Sequence, residues 1–222
     1  MSIFLQNKKL YAAQAKDYAE VSYWGHDESQ LAKKYFRKGK LLVLGCGAGR
    51  TLKPLIDMGF TVTAIDIVPE MVSKAREKMK EYDIEISEMD AASLMFDSNS
   101  FDTVFFPFHG IDYVSPDIYA AVTEARRVMK PEGVFIFSSH NRLYLKKLHR
   151  FFKGKYDDYE GLKTYRTDPF DVARLKKYFK KVVVVQKISF VSRESANWKD
   201  KLYLLFPWLN KTTYFICFGK ND

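Results

Sequence analysis

The residues most able to do chemistry open with three glycines at alternate positions. Gly45, Cys46, Gly47, Ala48 and Gly49 follow directly on the apolar run Leu41-Leu42-Val43-Leu44. A buried strand that ends in such a turn brings backbone N–H groups close to a ligand, because glycine accepts tight torsions and leaves room where a side chain would clash. A helix N-terminus after the turn adds partial positive charge. By itself this pattern suits NAD, FAD or another nucleotide. Asp66 lies at the end of the next apolar segment, where a carboxylate can accept both hydroxyl hydrogens of a ribose; helix capping is the structural alternative. Asp90 follows a third short strand and can accept from an adenine amino group, with the Ala91 N–H meeting a ring nitrogen; a turn-forming role is its alternative.

A second set of residues can handle protons. His109 follows a strongly apolar segment and is the leading candidate for a general base, since imidazole titrates near neutrality. Asp112 and Tyr113 share its loop and can orient a substrate. His140 follows the next apolar strand and is a further, weaker candidate. The four histidines at 26, 109, 140 and 149 share no metal-site spacing, so no catalytic metal is expected. The two cysteines, Cys46 and Cys217, form no disulfide framework and read as small packed residues.

Positioning these groups requires an alternation of strands and helices. Residues 8–24 read as helix then turn, and 27–37 as a second helix with Asp27 at its cap. Strands are expected over Leu41–Leu44, Phe60–Ile65, Ile84–Glu88, Phe101–Phe106 and Val134–Ser138. Helices are expected to about Met58, from Pro69 to about Tyr82, and over Pro116–Met129, the last ended by Pro131 and Gly133. This is an α/β chain with a largely parallel sheet covered on both faces. Beyond it the rhythm changes: a short basic helix over Leu143–Phe152, a loop over Lys153–Thr167, a helix from Asp168-Pro169 to Tyr178, and strands over Val182–Val191 and Thr212–Phe218 that suggest an antiparallel closing hairpin.

With these segments in place, the chain resembles the class I S-adenosylmethionine-dependent methyltransferases, of the type 11-like small-molecule kind. The run VLGCGAGR (43–50) resembles the family's first motif, AIDIVPEMVSKAREK (64–78) its second region, MDAASLMF (89–96) its third, FDTVFFPF (101–108) its fourth, and RRVMKPEGVFIFSS (126–139) the helix-to-strand region that follows. The resemblance covers about 100 residues. It implies a Rossmann-like sheet of seven strands in the order 3-2-1-4-5-7-6, with strand 7 antiparallel. It also implies S-adenosylmethionine as cofactor. The backbone of Gly45, Cys46, Gly47 and Gly49 would lie against the cofactor's amino-acid part, Asp66 would take the ribose and Ile67 would flank the adenine. Asp90 and Ala91 would read the adenine edge, and Phe106 to His109 would line the cavity. Tyr11, Tyr18 and Trp24 would cover the site from the N-terminal segment. Two features depart from the commonest form: Glu132 stands where a second glycine is frequent, and Phe-Pro-Phe-His replaces the Asn/Asp-Pro-Pro-Tyr/Phe run of enzymes that methylate DNA bases or glutamine.

The chain has 222 residues and 47% hydrophobic content, enough for one well-buried core. It reads as a single methyltransferase domain (1–222), with a helical cover (1–38), a cofactor-binding core (40–139) and a substrate-side elaboration with closing strands (140–222). No signal peptide and no run long enough to span a bilayer is visible, so a cytoplasmic location is expected. The formal net charge of +9 is uneven: from Asn141 onward 19 Lys/Arg face 8 Asp/Glu, leaving 17 against 19 before it. Arg142, Lys146, Lys147, Arg150, Lys153 and Lys155 form a basic stretch, and the segment 198–209 is unusually apolar. Together they suit a small or lipid-linked acceptor with anionic and apolar parts, with O-methylation slightly ahead. They also leave open a peripheral membrane contact, and either a monomer or a homodimer. No RNA-binding module is recognisable, which places nucleic acid behind a small molecule. An RNA methyltransferase, a non-catalytic cofactor-binding regulator and an NAD-linked enzyme are the competing readings.

Overall fold

The computed structural model describes residues 3–20, 24–114, 117–141, 156–159, 162–165, 169–186 and 212–221. Its centre is a seven-stranded sheet in the order β3-β2-β1-β4-β5-β9-β8. The strands are β1 (Lys40–Leu44), β2 (Thr61–Asp66), β3 (Glu85–Glu88), β4 (Phe101–Phe106), β5 (Met129–His140), β8 (Phe179–Gln186) and β9 (Thr212–Lys220). The first five pair in parallel, while β9 runs antiparallel to both β5 and β8. This is the expected order 3-2-1-4-5-7-6, with the last strand reversed. A separate hairpin pairs β6 (Tyr156–Tyr159) with β7 (Leu162–Tyr165), where the sequence suggested loop.

Both faces of the sheet are buried, which is why its strands read as continuous apolar runs. Leu42, Leu44, Val104, Phe106, Phe135 and Phe137 pack on one side with the amphipathic helix α6 (Ile118–Val128). Leu41, Val43, Phe105 and Ile136 pack on the other, with α3 (His26–Tyr35), α4 (Leu52–Asp57) and α5 (Pro69–Lys78). Phe105, Phe135, Phe137 and Phe215 are essentially inaccessible.

The chain begins with two short helices, α1 (Ile3–Ala13) and α2 (Ala15–Glu20), instead of one. Tyr11, Tyr18 and Ala15 rest on Ala48, Val68 and Met71, so the pair is held over the end of the glycine turn. Three local expectations need correction. Asp27 does not cap α3: Gly25 occupies that place, Glu28 Oε2 accepts the Gly25 N–H (3.2 Å), and the Asp27 carboxylate instead accepts the Tyr214 hydroxyl. Helix α6 starts at Ile118, with Asp117 Oδ1 accepting the Tyr119 N–H (3.0 Å). Its end passes directly into β5. Met129 pairs with Phe101, and the Pro131–Gly133 stretch forms an irregularity in the strand rather than its boundary. The expected basic helix over Leu143–Phe152 and the apolar segment 198–209 lie outside the described residues, as does the expected strand beyond Gln186. The helix α7 spans Pro169–Leu175.

Candidate functional site at the carboxyl edge of the sheet

Parallel strands deliver their following loops to one edge, and here the loops after β1, β2, β3 and β4 enclose a single cleft of about 190 Å³. That is room for a ligand far larger than a few waters. Gly45, Cys46, Gly47, Asp66, Ile67, Asp90, Ala91 and Phe106 all line it, as expected from the sequence.

The glycine turn is shaped by necessity. Gly45 and Gly47 have φ of +60° and +53°, a region L side chains rarely adopt. The Phe106 ring lies so close to Gly45 that a Cβ there would sit 2.7 Å from its Cε2. At Gly47 a Cβ would meet nothing within 4 Å, so this backbone faces open space in the cleft. Gly49 (φ +84°) instead turns the chain toward α5, with Ala75 at its side, and is not among the lining residues.

Asp66 ties the turn to the second strand. Its Oδ2 accepts the Gly47 N–H at 2.7 Å and its Oδ1 the Val68 N–H at 3.0 Å. Burial pushes the carboxyl above its usual range, against the opposing pull of those backbone donors. The two readings of Asp66 are thus not exclusive. Each oxygen holds one backbone hydrogen and retains a further lone pair for a hydroxyl. Asp90 Oδ1 accepts the Ala92 N–H (2.8 Å), which fixes the turn and leaves the carboxylate at the cleft wall. Ile67, Val68, Met71, Met89 and Phe106 supply apolar surface for a flat ring. Two carboxylates at adjoining strand ends, a turn of exposed backbone and apolar walls between them fit an adenine nucleoside.

The N-terminal cover contributes Tyr11 and Tyr18, whose rings meet edge to face (5.9 Å, 65°). Tyr11 also meets Tyr113 from the 3-10 turn Gly110–Tyr113 (5.3 Å, 88°), so three tyrosines close one side of the cleft. Burial pushes the Tyr11 phenol well up. Trp24 stands elsewhere: it packs against the core cluster of Leu31, Phe36 and Leu41 and is not among the lining residues.

His109 and Asp112 are also absent from the cleft wall, although their neighbours Phe108, Gly110 and Tyr113 form part of it. The His109 N–H donates to Ser138 Oγ (2.9 Å), and its Nε2 lies 3.0 Å from Thr212 Oγ1. Asp112 is inaccessible, and its Oδ2 lies 2.8 Å from His140 Nδ1. The strand ends therefore bring His109, Asp112 and His140 together, but directly behind the wall.

Three lining residues carry no signal of their own in the sequence. Asn7 and Lys8 come from α1, and Lys8 also reaches Glu88 (3.0 Å). Arg50, the last residue of the glycine motif, is gripped at both ends by Glu28, at 2.6 and 2.7 Å, and lies over the Phe108 ring. Only the fold brings α3 to the turn and so shows this pair.

The comparisons with known proteins agree with this geometry. Residues 42–137 match the family model described as Methyltransferase domain. The chain is 36% identical over 108 residues to the phosphatidylethanolamine N-methyltransferase of Cereibacter sphaeroides, covering 47% of this chain and 52% of that protein. It is 31% identical over 122 residues to the ubiquinone biosynthesis O-methyltransferase of Paramagnetospirillum magneticum, covering 55% and 48%. Among solved structures, the PH0226 protein of Pyrococcus horikoshii OT3 superposes with a TM-score of 0.65 at 25% identity, over 91% of this chain and 95% of that one. The chain spans about half the length of the curated relatives it matches. In strand order, glycine turn, acidic strand ends and these likenesses, the chain is similar to class I S-adenosylmethionine-dependent methyltransferases, and residues 42–137 match the methyltransferase domain.

Proposed function

We propose that this chain binds S-adenosylmethionine in the cleft and transfers its methyl group to a small or lipid-linked acceptor. The observation that carries the reading is the convergence of Gly47, Asp66 and Asp90 on one cavity with apolar walls. Asp66 would hold the ribose, Asp90 and the Ala91 N–H the adenine edge, and the turn at Gly45–Gly47 the amino-acid end. Tyr11, Tyr18 and Tyr113 would shield the site from water. The bound cofactor supplies an activated methyl group on a sulfonium; the protein's share is to orient the acceptor and exclude competing water.

The acceptor class rests on coarser support. The two curated relatives named above bear on a phospholipid amine and on an oxygen in ubiquinone biosynthesis, both apolar contexts. The basic stretch 142–155 and the apolar segment 198–209 suit an acceptor with an anionic part and an apolar part. An oxygen acceptor and, separately, a cytoplasmic location are our choices. The test is transfer of a tritiated methyl group from the cofactor to separated lipid, aqueous small-molecule and RNA fractions of a cell extract. Label in the lipid or small-molecule fraction supports the reading. Label confined to RNA moves the function to nucleic acid, and label in none defeats methyl transfer.

A further inference from the structure

Behind the cleft wall, at the ends of β4 and β5 and the start of β9, lies a knot of buried polar groups that binding of a nucleoside does not use. Asp112, Ser138, Ser139, His140 and Thr212 are all at most 8% exposed. Elsewhere these three strands bury mostly apolar side chains, with Thr103 and Thr213 as the other buried hydroxyl residues besides Tyr214. Holding strands together does not require polar groups, since apolar residues of like volume do it as well or better. Clustered buried polar groups at the ligand edge of such a sheet are where a working site is to be sought.

The arrangement is directional. Asp112 Oδ2 accepts the His140 backbone N–H (2.8 Å) and faces His140 Nδ1 (2.8 Å), while Ser139 Oγ donates to Asp112 Oδ1 (2.5 Å). Burial pushes the Asp112 carboxyl up, while the His140 and Ser139 contacts pull it down; where it is ionised it only accepts, Nδ1 then carries the hydrogen of this contact, and Nε2 is the basic nitrogen. The His109 ring stacks on the His140 ring, with centroids 4.0 Å apart and planes 21° from parallel. His109 is itself held by Ser138 and Thr212. Of the ion pair, the imidazole side chain keeps 10% exposure and the carboxylate none, so only the imidazole presents any surface.

A second observation comes from the backbone. Phe108 and His109 both have positive φ, +51° and +61°, a region that side-chain-bearing residues adopt only at a cost. This double left-handed turn splits the pair. Phe108 stands 59% exposed at the cleft mouth, and His109 turns back onto His140 and Thr212. A strained turn retained beside a ligand cleft is where function concentrates.

We propose that Asp112 and His140 form the proton-accepting dyad of the acceptor subsite, with His109 as its stacked support and not, as the sequence suggests, the base itself. This rests on the methyl-transfer reading above. The acceptor class it implies is a hydroxyl whose proton must leave, such as a phenol or enol. The acceptor's O–H bond breaks with its proton passing to His140 Nε2. Its oxygen then bonds the methyl carbon as the carbon–sulfur bond breaks, leaving a neutral thioether. Asp112 is a positioning residue: it fixes the tautomer and stabilises the imidazolium that forms.

The experiment has two arms on the full chain. Long-range proton–nitrogen NMR of the histidine rings at pH 8 reads the tautomer without any turnover. The dyad predicts a hydrogen on Nδ1 and a bare Nε2 at His140, with that preference lost in Asp112→Asn; a bare Nδ1 at His140 overturns it. The second arm measures tritiated methyl transfer to the extract fraction labelled by the parent. In His140→Ala transfer should fall at least about 100-fold. Added imidazole should restore at least tenfold of the loss, and S-adenosylhomocysteine affinity should stay within threefold. His140→Gln serves if the alanine variant does not fold. Transfer within threefold of the parent in either variant overturns the dyad alone, whereas a parent that labels no fraction overturns the methyl-transfer reading itself.

Discussion

Replacing Asp66 by Asn separates the observed hold on the glycine turn from the ribose contact proposed for that carboxylate. The side chain keeps its size and one acceptor oxygen, so it can still hold the Gly47 or the Val68 N–H, but no longer both. The lost internal bond costs about 1 kcal/mol. Against this, burial disfavours the ionised carboxyl in the folded chain, a penalty the neutral amide does not carry. The two effects oppose each other, so the melting temperature of the ligand-free variant should stay within roughly 4 °C of the parent. Binding has no such offset. Two ribose hydroxyls that donate to a carboxylate are each worth about 1.5–3 kcal/mol, and the amide retains at most one weaker bond. A net loss of about 2–4 kcal/mol corresponds to roughly 30- to 700-fold in dissociation constant. The pH dependence gives an independent check. A raised folded pKa means that the ligand-free protein keeps this proton to higher pH than the unfolded chain. The group's contribution to stability is therefore fully present below the ordinary value of 3.8 and falls as pH rises through the raised one. Hydroxyl donors favour the ionised form, so binding expels the proton, and affinity should weaken on acidification through that window by up to about tenfold per pH unit. Calorimetric titration with S-adenosylhomocysteine from neutral to acidic pH measures both. A variant that binds within threefold of the parent, or that keeps the parent's slope, would refute the ribose assignment.

Three further outcomes follow from the packing. Glu28→Ala removes the two-pronged partner of the half-buried Arg50, which should cost about 1.5–3 kcal/mol and lower the melting temperature by roughly 3–12 °C; thermal melting checks it, and a shift under 2 °C would show that the pair is inconsequential. Gly45→Ala places a Cβ against the Phe106 ring in a backbone conformation alanine resists. Cofactor-product affinity should drop at least tenfold in calorimetry while the far-UV circular dichroism stays that of the parent. Burial raises both the Cys46 and the Cys217 thiol, so neither should react with Ellman's reagent at pH 8 in the native protein and both should react in 6 M guanidinium; rapid native labelling would contradict the described burial.

The cofactor half of the molecule is legible from sequence because its signals are local. Leu41–Leu44 is a continuous apolar run that ends in glycines, and a strand buried on both faces has to look like that. Asp66 and Asp90 fall directly after further short runs, so placing them at one edge needs only parallel strands. What escapes is whatever depends on distant partners. Asp27 has the position and type of a helix cap, but Tyr214, 187 residues later, claims its carboxylate. Pro131 and Gly133 signal a turn, yet pairing of Met129 with Phe101 starts the strand before them. Trp24 has the composition of a cover and spends its ring on the core. The placement of His109 and His140 depends on the register that sets Ser138 and Thr212 beside the loop after β4, and periodicity cannot show that.

The measurement that bears most directly on the whole account is a crystal structure of the chain with S-adenosylhomocysteine. The ribose hydroxyls should lie within hydrogen-bonding distance of Asp66, and the adenine edge at Asp90 and Ala91. A nucleoside seated anywhere else, or one that touches neither carboxylate, would contradict it.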